Sequence, residues 1–483
     1  MSVNIQQKQL QDKFNHRYTV KKLRGRVCAL EKSRGSWKGK YQNSQQLLKA
    51  LERENKQLRQ QLSSVGPPAE HSLPIAGHKY NVLMVSICIH LYVVGGCSFR
   101  GVVSCLQYLN SALGWHLTSL PSKSAVETWV KKLGYFSFNQ GEGRFTDKEY
   151  ALIVDECMTI GDERMLMVLG VEAENTTAEV LTTADADVLH IEVQKSWKAD
   201  QIKRVLKEVA QTQGEAPKYV ISDSNNNLVA GIKAAELCRV KDVGHQLALL
   251  AERCYKKDDR YIAFMKSLGA CTHKNIMKPV AYLLPPRQRD HSRFLNLTPT
   301  IDWVLAIQKK YSTLTREEQE CFAFLQEHNE IVKELETLVV ITCKINKHLK
   351  NSGLSTESID VCLSYCETVT PYEKLNKFIE TVKTYLKEEV SKLEEQACWH
   401  CSSDVIESLF GIFKYRKSPN KLYGVTSYVL YLALVTRKLA GKVVLDIDIK
   451  SAQEQVFLSK IKEWEVNYLK ENQVLKRMKA LSN

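Results

Sequence analysis

Two acidic residues end short apolar segments that read as buried β-strands. Asp155 ends the segment 150–155 and Asp223 ends the segment 218–223. In an order of three strands, a helix and a strand, these two strands can lie side by side, with both carboxylates at the same edge. Paired carboxylates repel each other unless a cation joins them, and oxygen ligands suit Mg²⁺ or Mn²⁺. The pattern predicts a two-metal phosphoryl-transfer site, the alternative being two acids that merely cap strand ends in solvent.

A third carboxylate is available in the segment 401–417, for which we predict a helix. Asp404 and Glu407 are three residues apart, and Lys414 lies seven residues beyond Glu407, so all three share one helical face. The alternative is an N-terminal capping box formed by Asp404 and Glu407. Between 408 and 440 there are six basic residues and no acidic one, which favours contact with a phosphate backbone. The residues expected to make this contact are Lys414, Arg416 and Lys417.

The elements around the two aspartates predict a mixed five-stranded sheet. Three successive strands are followed by a helix, a strand, a helix and a short fifth strand. The predicted strands are 150–155, 165–171, a third region within 179–190, 218–223 and 239–243. Glu156 directly follows Asp155, so in a strand its side chain points to the opposite face, and we exclude it from the metal site.

The segment 80–137 has the pattern of three short helices, at 81–94, 98–113 and 124–133. Its last helix begins at a serine-rich turn near 122–124 and ends with Lys131 and Lys132 before Gly134. Three helices with a short basic final helix fit a helix-turn-helix domain, in which Lys131 and Lys132 would contact DNA. The alternative is a plain three-helix packing domain.

Residues 20–62 hold one heptad register, with apolar residues at most a and d positions and Asn55 at an a position. This predicts a coiled-coil arm that joins at least two copies of the chain, the alternative being a basic, solvated helix.

The linker 63–79 contains three prolines and two glycines. The predicted division of the chain is a basic arm at 1–62, the linker at 63–79, a helix-turn-helix-like domain at 80–137, a catalytic domain at 148–255 and 396–440, a helical insertion at 256–395, and a C-terminal helical tail at 441–483. A helix is also expected at 424–440, and a polar helix over 453–482.

Charge distribution sets further limits on function. The formal net charge is +14, and much of it comes from the segment 1–62, in which basic side chains greatly outnumber acidic ones. This favours a polyanionic partner such as DNA. The segment 1–30 is polar, and the most apolar stretch of the chain is too short for a membrane span, so we expect neither a secretory signal nor a membrane. Cys398 and Cys401 flank His400, but no second pair follows at zinc-finger spacing, and zinc is not favoured.

With these residues in view, the chain resembles DDE transposases of the RNase H-like superfamily, of the bacterial insertion-sequence and hAT types. The resemblance covers about 148–440 and is carried by four segments: LIVDE at Asp155, YVISDSNNN at Asp223, DVGHQLA from Asp242, and SSDVIESLFGIFKYRKS around Glu407. It implies an RNase H-like fold and a catalytic, metal-binding triad of Asp155, Asp223 and Glu407. It also implies two Mg²⁺ or Mn²⁺ ions, cleavage at transposon ends and strand transfer into target DNA.

Spacing within the resemblance adds detail. The segment 224–406 separates Asp223 from Glu407, which is far longer than a strand and a helix require and implies a helical insertion before the last acid. Lys414 matches the lysine of a Tyr-Arg-Glu-Lys signature, whereas His400 and Ser403 stand where that signature has Tyr and Arg. His245, Asp242 and Asp404 are expected to support the acids without binding the metal.

Two alternatives to an active transposase stay open. One is a non-catalytic, site-specific DNA-binding protein derived from a transposase, and the other is a nuclease of the same fold without strand transfer. A DNA substrate implies a nucleoid-associated, cytoplasmic protein in bacteria, or a nuclear protein in a eukaryotic host.

Overall fold

A computed structural model gives the architecture of the chain. It describes scattered positions between 20 and 51, and 74–482 except for gaps at 116, 118, 159–162, 176–178, 288–293, 295–296, 368–370, 418–423, 438–444 and 472. The chain divides into two compact units, Met1–Pro74 and Ile75–Asn483. Among the described residues, no helix is both long enough and apolar enough to cross a membrane.

In the first unit, every described position between 20 and 51 is helical. From position 23 onward, the apolar side chains at the described a and d positions are exposed to solvent, with Leu23 and Val27 each 52% exposed and Leu30 69% exposed. The described part of the first unit therefore leaves this stripe uncovered. Asn55 and the linker residues up to 73 lie outside the described part.

The second unit is built around a mixed five-stranded sheet, and the predicted strand number and mixed character are confirmed. The sheet order is β3-β2-β1-β4-β5. Strand β1 is antiparallel to β2, which is antiparallel to β3, whereas β1, β4 and β5 run parallel. The strands are β1 (Tyr150–Met158), β2 (Arg164–Glu172), β3 (Ala186–Gln194), β4 (Tyr219–Ser222) and β5 (Arg239–Lys241).

Helices cover both faces of the sheet and extend beyond it. In chain order they are α1 (Val82–Val93), α2 (Phe99–Ala112), α3 (Lys123–Asn139), α4 (Ala199–Gln213), α5 (Asn226–Ala234), α6 (Val243–Tyr255), α7 (Asp259–Asn275), α8 (Leu297–Lys310), α9 (Arg316–Phe322), α10 (Phe324–Glu327), α11 (Asn329–Ser352), α12 (Thr356–Tyr365), α13 (Glu373–Val390), α14 (Asp404–Arg416), α15 (Leu432–Val435), α16 (Ile449–Gln455), α17 (Leu458–Tyr468) and α18 (Gln473–Leu481).

The side chains of β1 alternate between the two faces of the sheet, and the core has one part on each face. Leu152 and Val154 pack with α4 and α5 in a smaller cluster. Ala151, Ile153 and Cys157 belong to the large cluster, which includes α6, α11 and α14. Since successive side chains of a strand point to opposite faces, Asp155 lies on the α6 and α14 face.

The first three helices begin at side-chain caps on Asn81, Ser98 and Ser122, close to the predicted starts. Helix α3 does not stand apart as a surface helix. It packs against α16, α15 and the 3₁₀ turn Ser427–Tyr431. At Gly134 a side chain would meet the backbone oxygen of Leu430 at 2.7 Å, so the close approach requires glycine. The described part of 256–395 is helical, with short 3₁₀ turns between helices.

Three details of the expected elements are wrong. The third strand is continuous from Ala186 to Gln194, because Thr182 and Asp185 form a capping box around the 3₁₀ turn Thr183–Asp185. In place of the expected helix at 424–440, the described part, up to 437, has a 3₁₀ turn followed by the single turn α15, and most of these residues are buried. The expected polar helix over 453–482 is replaced by separate helices, and Ile461 and Trp464 of α17 are buried in the core.

Candidate functional site

The parallel pairing of β1 with β4 brings two acids to one edge of the sheet. Val154 pairs with Ser222, so Asp155 and Asp223 occupy neighbouring positions immediately beyond that pair. Asp155 Oδ1 accepts the amide of Glu156 at 2.7 Å, and Asp223 Oδ1 accepts the amide of Asn225 at 3.0 Å. Both carboxylates are thus anchored by local backbone donors.

The environment of Asp155 disfavours its charge. Burial, followed by the nearby negative charge of Asp223, raises the pKa of Asp155 to about 7, with Glu407 adding in the same direction. The amide of Glu156 and the side chain of His245 oppose the rise. A carboxyl group held at so high a pKa in a cluster of acids is typical of a functional site.

The third acid comes from α14, which packs against β1. His245 Nε2 lies 2.7 Å from Glu407 Oε1. The hydrogen bond to Glu407 raises the pKa of His245 to about 9, and the same bond lowers the pKa of Glu407. At neutral pH the two side chains therefore form an ion pair beside the aspartates.

Asp242 connects the helices that carry this ion pair. Its buried carboxylate caps α6 by accepting the amide of His245 at 2.7 Å. The other oxygen accepts the amide of Ser403 at 2.6 Å and the Ser403 hydroxyl at 2.8 Å. Because Ser403 immediately precedes α14, one buried carboxylate binds the starts of both helices.

Two lysines border Glu407. Lys350 of α11 forms an ion pair with Asp404, and Lys350 and Lys414 both help to lower the pKa of Glu407. The Lys414 side chain also reaches Cys157, which follows Asp155 by two residues on the same face of β1. The capping box considered for Asp404 and Glu407 is absent, since each carboxylate has its own basic partner.

Arg239 of β5 fixes the end of β4. Its Nη2 donates to the carbonyl oxygen of Asp223 at 2.6 Å, and its Nε donates to Ser222 Oγ at 2.8 Å. Burial lowers the pKa of this guanidinium. The backbone of Asp223 is thereby held by a neighbouring strand.

Glu156 is linked to Asp223 through Asn225, whose backbone amide donates to Asp223 and whose side chain donates to Glu156. Its Oε1 accepts from Arg164 at 2.9 Å and from Asn225 Nδ2 at 2.8 Å. Asn225 in turn caps α5, on the opposite side of the sheet from α14. The contacts of Glu156 are therefore those of a residue that braces the loop after β4.

Three residues expected to contact DNA have partners within the chain. Lys131 forms an ion pair with Glu127, and Lys132 donates to the carbonyl oxygen of Gln453 at 2.8 Å. The Arg416 guanidinium lies 4.7 Å from the ring centre of Tyr92 and 5.5 Å from that of Tyr431. The contacts of Lys132 and Arg416 join α3 and α14 to neighbouring elements, whereas the Lys131 ion pair lies within α3. Lys414, in contrast, is exposed.

The cysteine pair considered for zinc has another use. Cys398 Sγ donates to the carbonyl oxygen of Ser352 at 3.1 Å, and Cys401 Sγ donates to that of Leu349 at 3.5 Å. Burial raises the pKa of both thiols, and burial lowers the pKa of His400 to about 4. The two thiols therefore donate to carbonyl groups in the last turn of α11, and the Leu349 carbonyl also accepts the amide of Gly353.

The acids suit a divalent cation only in part. Asp155 and Asp223 do, because two adjacent carboxylates offer oxygen ligands, and the nearby charge of Asp223 helps to raise the pKa of Asp155. Glu407 is held by His245 instead. Accordingly, within the described part of the chain no three His, Cys, Asp or Glu side chains are gathered closely enough to hold a metal ion.

Lys350 was missed by the sequence analysis, because it belongs to the helical insertion, far from the other residues along the chain. Nothing in the local pattern of α11 marks it, and the contact with Asp404 arises from tertiary packing. Arg239 was missed for the same reason, although its place in a short strand beside β4 was a usable signal.

Comparison with known proteins gives no family assignment. No protein-family model matches the chain, and a search of curated proteins finds no match. The candidate site therefore has to be interpreted from its own geometry.

Proposed function

We propose that this chain is a DNA transposase that cleaves DNA strands and joins them to a target through Asp155, Asp223 and Glu407. The observation that carries the proposal is the adjacency of Asp155 and Asp223 on parallel strands, where their repulsion contributes to a pKa of about 7 for Asp155. A polypeptide that holds two like charges together at the edge of a sheet loses stability, which is understandable if a cation binds there.

The proposal includes an RNase H-like fold for the catalytic unit. Three antiparallel strands followed by two strands parallel to the first support it, in the order β3-β2-β1-β4-β5. The positions of the acids agree with it as well: one lies on the first strand, one lies after the fourth, and one lies on a helix after the helical insertion.

Asp155 and Asp223 would hold two Mg²⁺ or Mn²⁺ ions, with Glu407 joining them once its carboxylate leaves His245. Such ions activate an attacking oxygen and stabilise a leaving oxygen in phosphoryl transfer. Lys414 lies on the same helix as Glu407 and would attract the phosphate backbone. His245, held at the start of α6 by Asp242, would keep Glu407 in place between turnovers and balance its charge.

The basic first unit supports assembly as at least a dimer, which transposition requires to bring two ends together. Its described apolar a and d side chains from Leu23 to Leu51 are more than half exposed in the single chain, including Trp37 and Tyr41. An uncovered apolar stripe at heptad spacing is typical of a helix that pairs with another copy. Its positive charge would also attract DNA.

One observation favours a second candidate, a non-catalytic DNA-binding protein derived from a transposase. In the described part of the chain the three acids do not form a ready metal site, because Glu407 is engaged by His245. This arrangement would result if the protein kept the fold but no longer bound the ions.

A cleavage and joining assay separates these functions. The full chain is incubated with Mg²⁺ or Mn²⁺ and DNA containing the sequences that flank its gene, together with a supercoiled target plasmid. We expect nicks that leave 3′-hydroxyl groups, followed by joined products. Tight binding without cleavage in either metal would support the DNA-binding protein, and cleavage without joining would support a nuclease.

A further inference from the structure

The exposed face of α14 forms a continuous stripe that begins at the candidate site. Glu407, Ser408, Gly411, Lys414 and Tyr415 are all exposed, and their spacing places them within one side of the helix. The opposite side is buried against the core through residues such as Ile406, Leu409, Phe410 and Phe413. In the described structure this stripe has no protein element covering it at Gly411, where an added Cβ would meet nothing within 4 Å.

Packing within the described structure does not explain why residue 411 is a glycine. Glycine inside a helix destabilises it relative to alanine, and it is usually explained by a close neighbour or by a positive φ. Gly411 has neither, since the space above it is open and it is not among the positive-φ residues. A missing side chain there would instead allow the backbone of another molecule to approach the helix closely, one turn from Glu407.

Tyr415 follows one turn later and is 88% exposed. Single exposed aromatic residues are ordinary on protein surfaces. What distinguishes Tyr415 is its position on the same stripe as Glu407 and next to Lys414. An exposed ring beside a phosphate-attracting lysine is the arrangement on which unpaired nucleic-acid bases stack.

The charge of this region is complementary to a polyanion. No acidic residue occurs from 408 to 445, and Lys414 projects from the stripe toward the side of β1 that carries Asp155. A DNA strand that follows the stripe would therefore pass the positive charge of Lys414 and then reach the carboxylates at the Glu407 end of the stripe. Because the stripe is continuous with the candidate site, the DNA that it contacts would be the reacting strand and not a distant segment of duplex.

We propose that this face of α14 binds an unpaired segment of the substrate DNA strand, with the sugar-phosphate backbone crossing over Gly411 and one base stacked on Tyr415. The inference rests on the proposed function and deepens it. It implies that the DNA is locally unpaired next to the reacting phosphate, because a base inside a duplex cannot stack on a protein ring.

The test measures binding without cleavage, by fluorescence anisotropy in EDTA. The probes are a labelled single-stranded oligonucleotide and a labelled duplex of the same sequence, and the protein is the full chain. For Tyr415→Ala we expect about 10-fold weaker binding of the single strand and a smaller change for the duplex. Tyr415→Phe, which keeps the ring, should restore most of the lost affinity.

Gly411→Leu tests the crossing point, and Gly269→Leu is its matched control. Gly269 also lies inside a helix, α7, and an added Cβ there meets nothing within 4 Å. We expect Gly411→Leu to weaken single-strand binding by at least about 10-fold, whereas Gly269→Leu leaves it unchanged. Both variants should melt at or above the wild-type temperature, since leucine favours helices.

Each outcome has a distinct meaning. If the wild-type chain binds DNA and both Tyr415→Ala and Gly411→Leu bind the single strand as tightly as the wild type does, the stripe on α14 is not the DNA-binding surface. The proposed function would still stand in that case. If Tyr415→Ala weakens the duplex and the single strand equally, base stacking is wrong. If the wild-type chain binds neither probe, the proposed function and this inference both fail.

Discussion

The buried carboxylate of Asp242 accepts hydrogen bonds from both the amide and the hydroxyl of Ser403, at 2.6 and 2.8 Å. The same side chain caps α6 through the amide of His245. One residue thus sets the relative position of His245 and Glu407, although the two lie 162 residues apart in the chain. The candidate site depends on this connection, because α14 reaches the sheet only after the whole helical insertion.

Replacing Asp242 with asparagine should reduce both stability and cleavage. Asparagine retains one acceptor oxygen, so one of the partners, His245 or Ser403, is left facing an amide nitrogen. We expect a loss of about 1–3 kcal/mol in the free energy of unfolding, measured by urea denaturation, and slower cleavage with DNA binding retained.

Asp448→Asn is the matched control for this prediction. Asp448 caps α16 and also accepts from both the amide and the hydroxyl of one serine, Ser451, at 3.0 and 2.7 Å. Asp448→Asn should lower the free energy of unfolding, and it should slow cleavage only as far as the lower stability reduces the amount of folded protein. Equal cleavage rates for Asp242→Asn and Asp448→Asn would mean that Asp242 has no positioning role.

The close approach of α3 to the turn after 426 gives a second prediction. In Gly134→Ala the new methyl group would meet the carbonyl oxygen and carbon of Leu430 at 2.7 and 2.9 Å, and neither backbone atom can move alone. We expect destabilisation of about 1–3 kcal/mol. Gly411→Ala, with nothing in its way, should instead gain up to about 1 kcal/mol. Thermal unfolding of the two variants and the wild type checks the prediction: Gly134→Ala should melt at a lower temperature than the wild type and Gly411→Ala at a higher one.

A buried acid on β3 predicts a loss of stability at low pH. Burial would raise the pKa of Glu192, but hydrogen bonds from His190, Gln194 and Arg204 outweigh it and lower the pKa to about 2. Because the folded pKa lies below the unfolded value near 4.5, the stabilisation is complete above pH 4.5 and disappears as the pH falls toward 2.

The measurement is the free energy of unfolding of wild type and Glu192→Gln from pH 7 to pH 2.5. The difference between the two should be constant above pH 5 and shrink below it. Glu208→Gln is the control, since Glu208 pairs with the same Arg204 but is 45% exposed, and it should show a much smaller difference. A Glu192→Gln difference that is independent of pH would contradict the assignment.

The exposed heptad stripe of the first unit predicts self-association. In solution the full chain should have the mass of at least two chains by light scattering, and Leu30→Glu with Leu51→Glu should shift it toward the 55.1 kDa of one chain. Gln46→Glu adds a charge on the outer side of the same helix and should not change the mass. A wild-type chain that stays monomeric at micromolar concentration would exclude the dimer.

The sequence allowed the sheet and the pairing of its two aspartates to be predicted, because these depend on local patterns and on general rules of strand order. The contacts of Glu407 could not be predicted. They depend on how the long segment 224–406 returns to the sheet, and they involve Lys350 from inside that segment. Local charge likewise gave no sign that Lys132 and Arg416 contact segments distant in sequence.

The central claim is that Asp155 and Asp223 act together in metal-dependent cleavage of DNA. The most direct measurement is the rate of strand nicking in Mg²⁺ by Asp155→Asn and Asp223→Asn, compared with Glu156→Gln, whose carboxylate is adjacent in sequence but directed to the other face of β1. We predict that both aspartate variants lose nicking while they still bind DNA, and that Glu156→Gln keeps it. Nicking that persists in either aspartate variant, or that is lost only in Glu156→Gln, would contradict the claim.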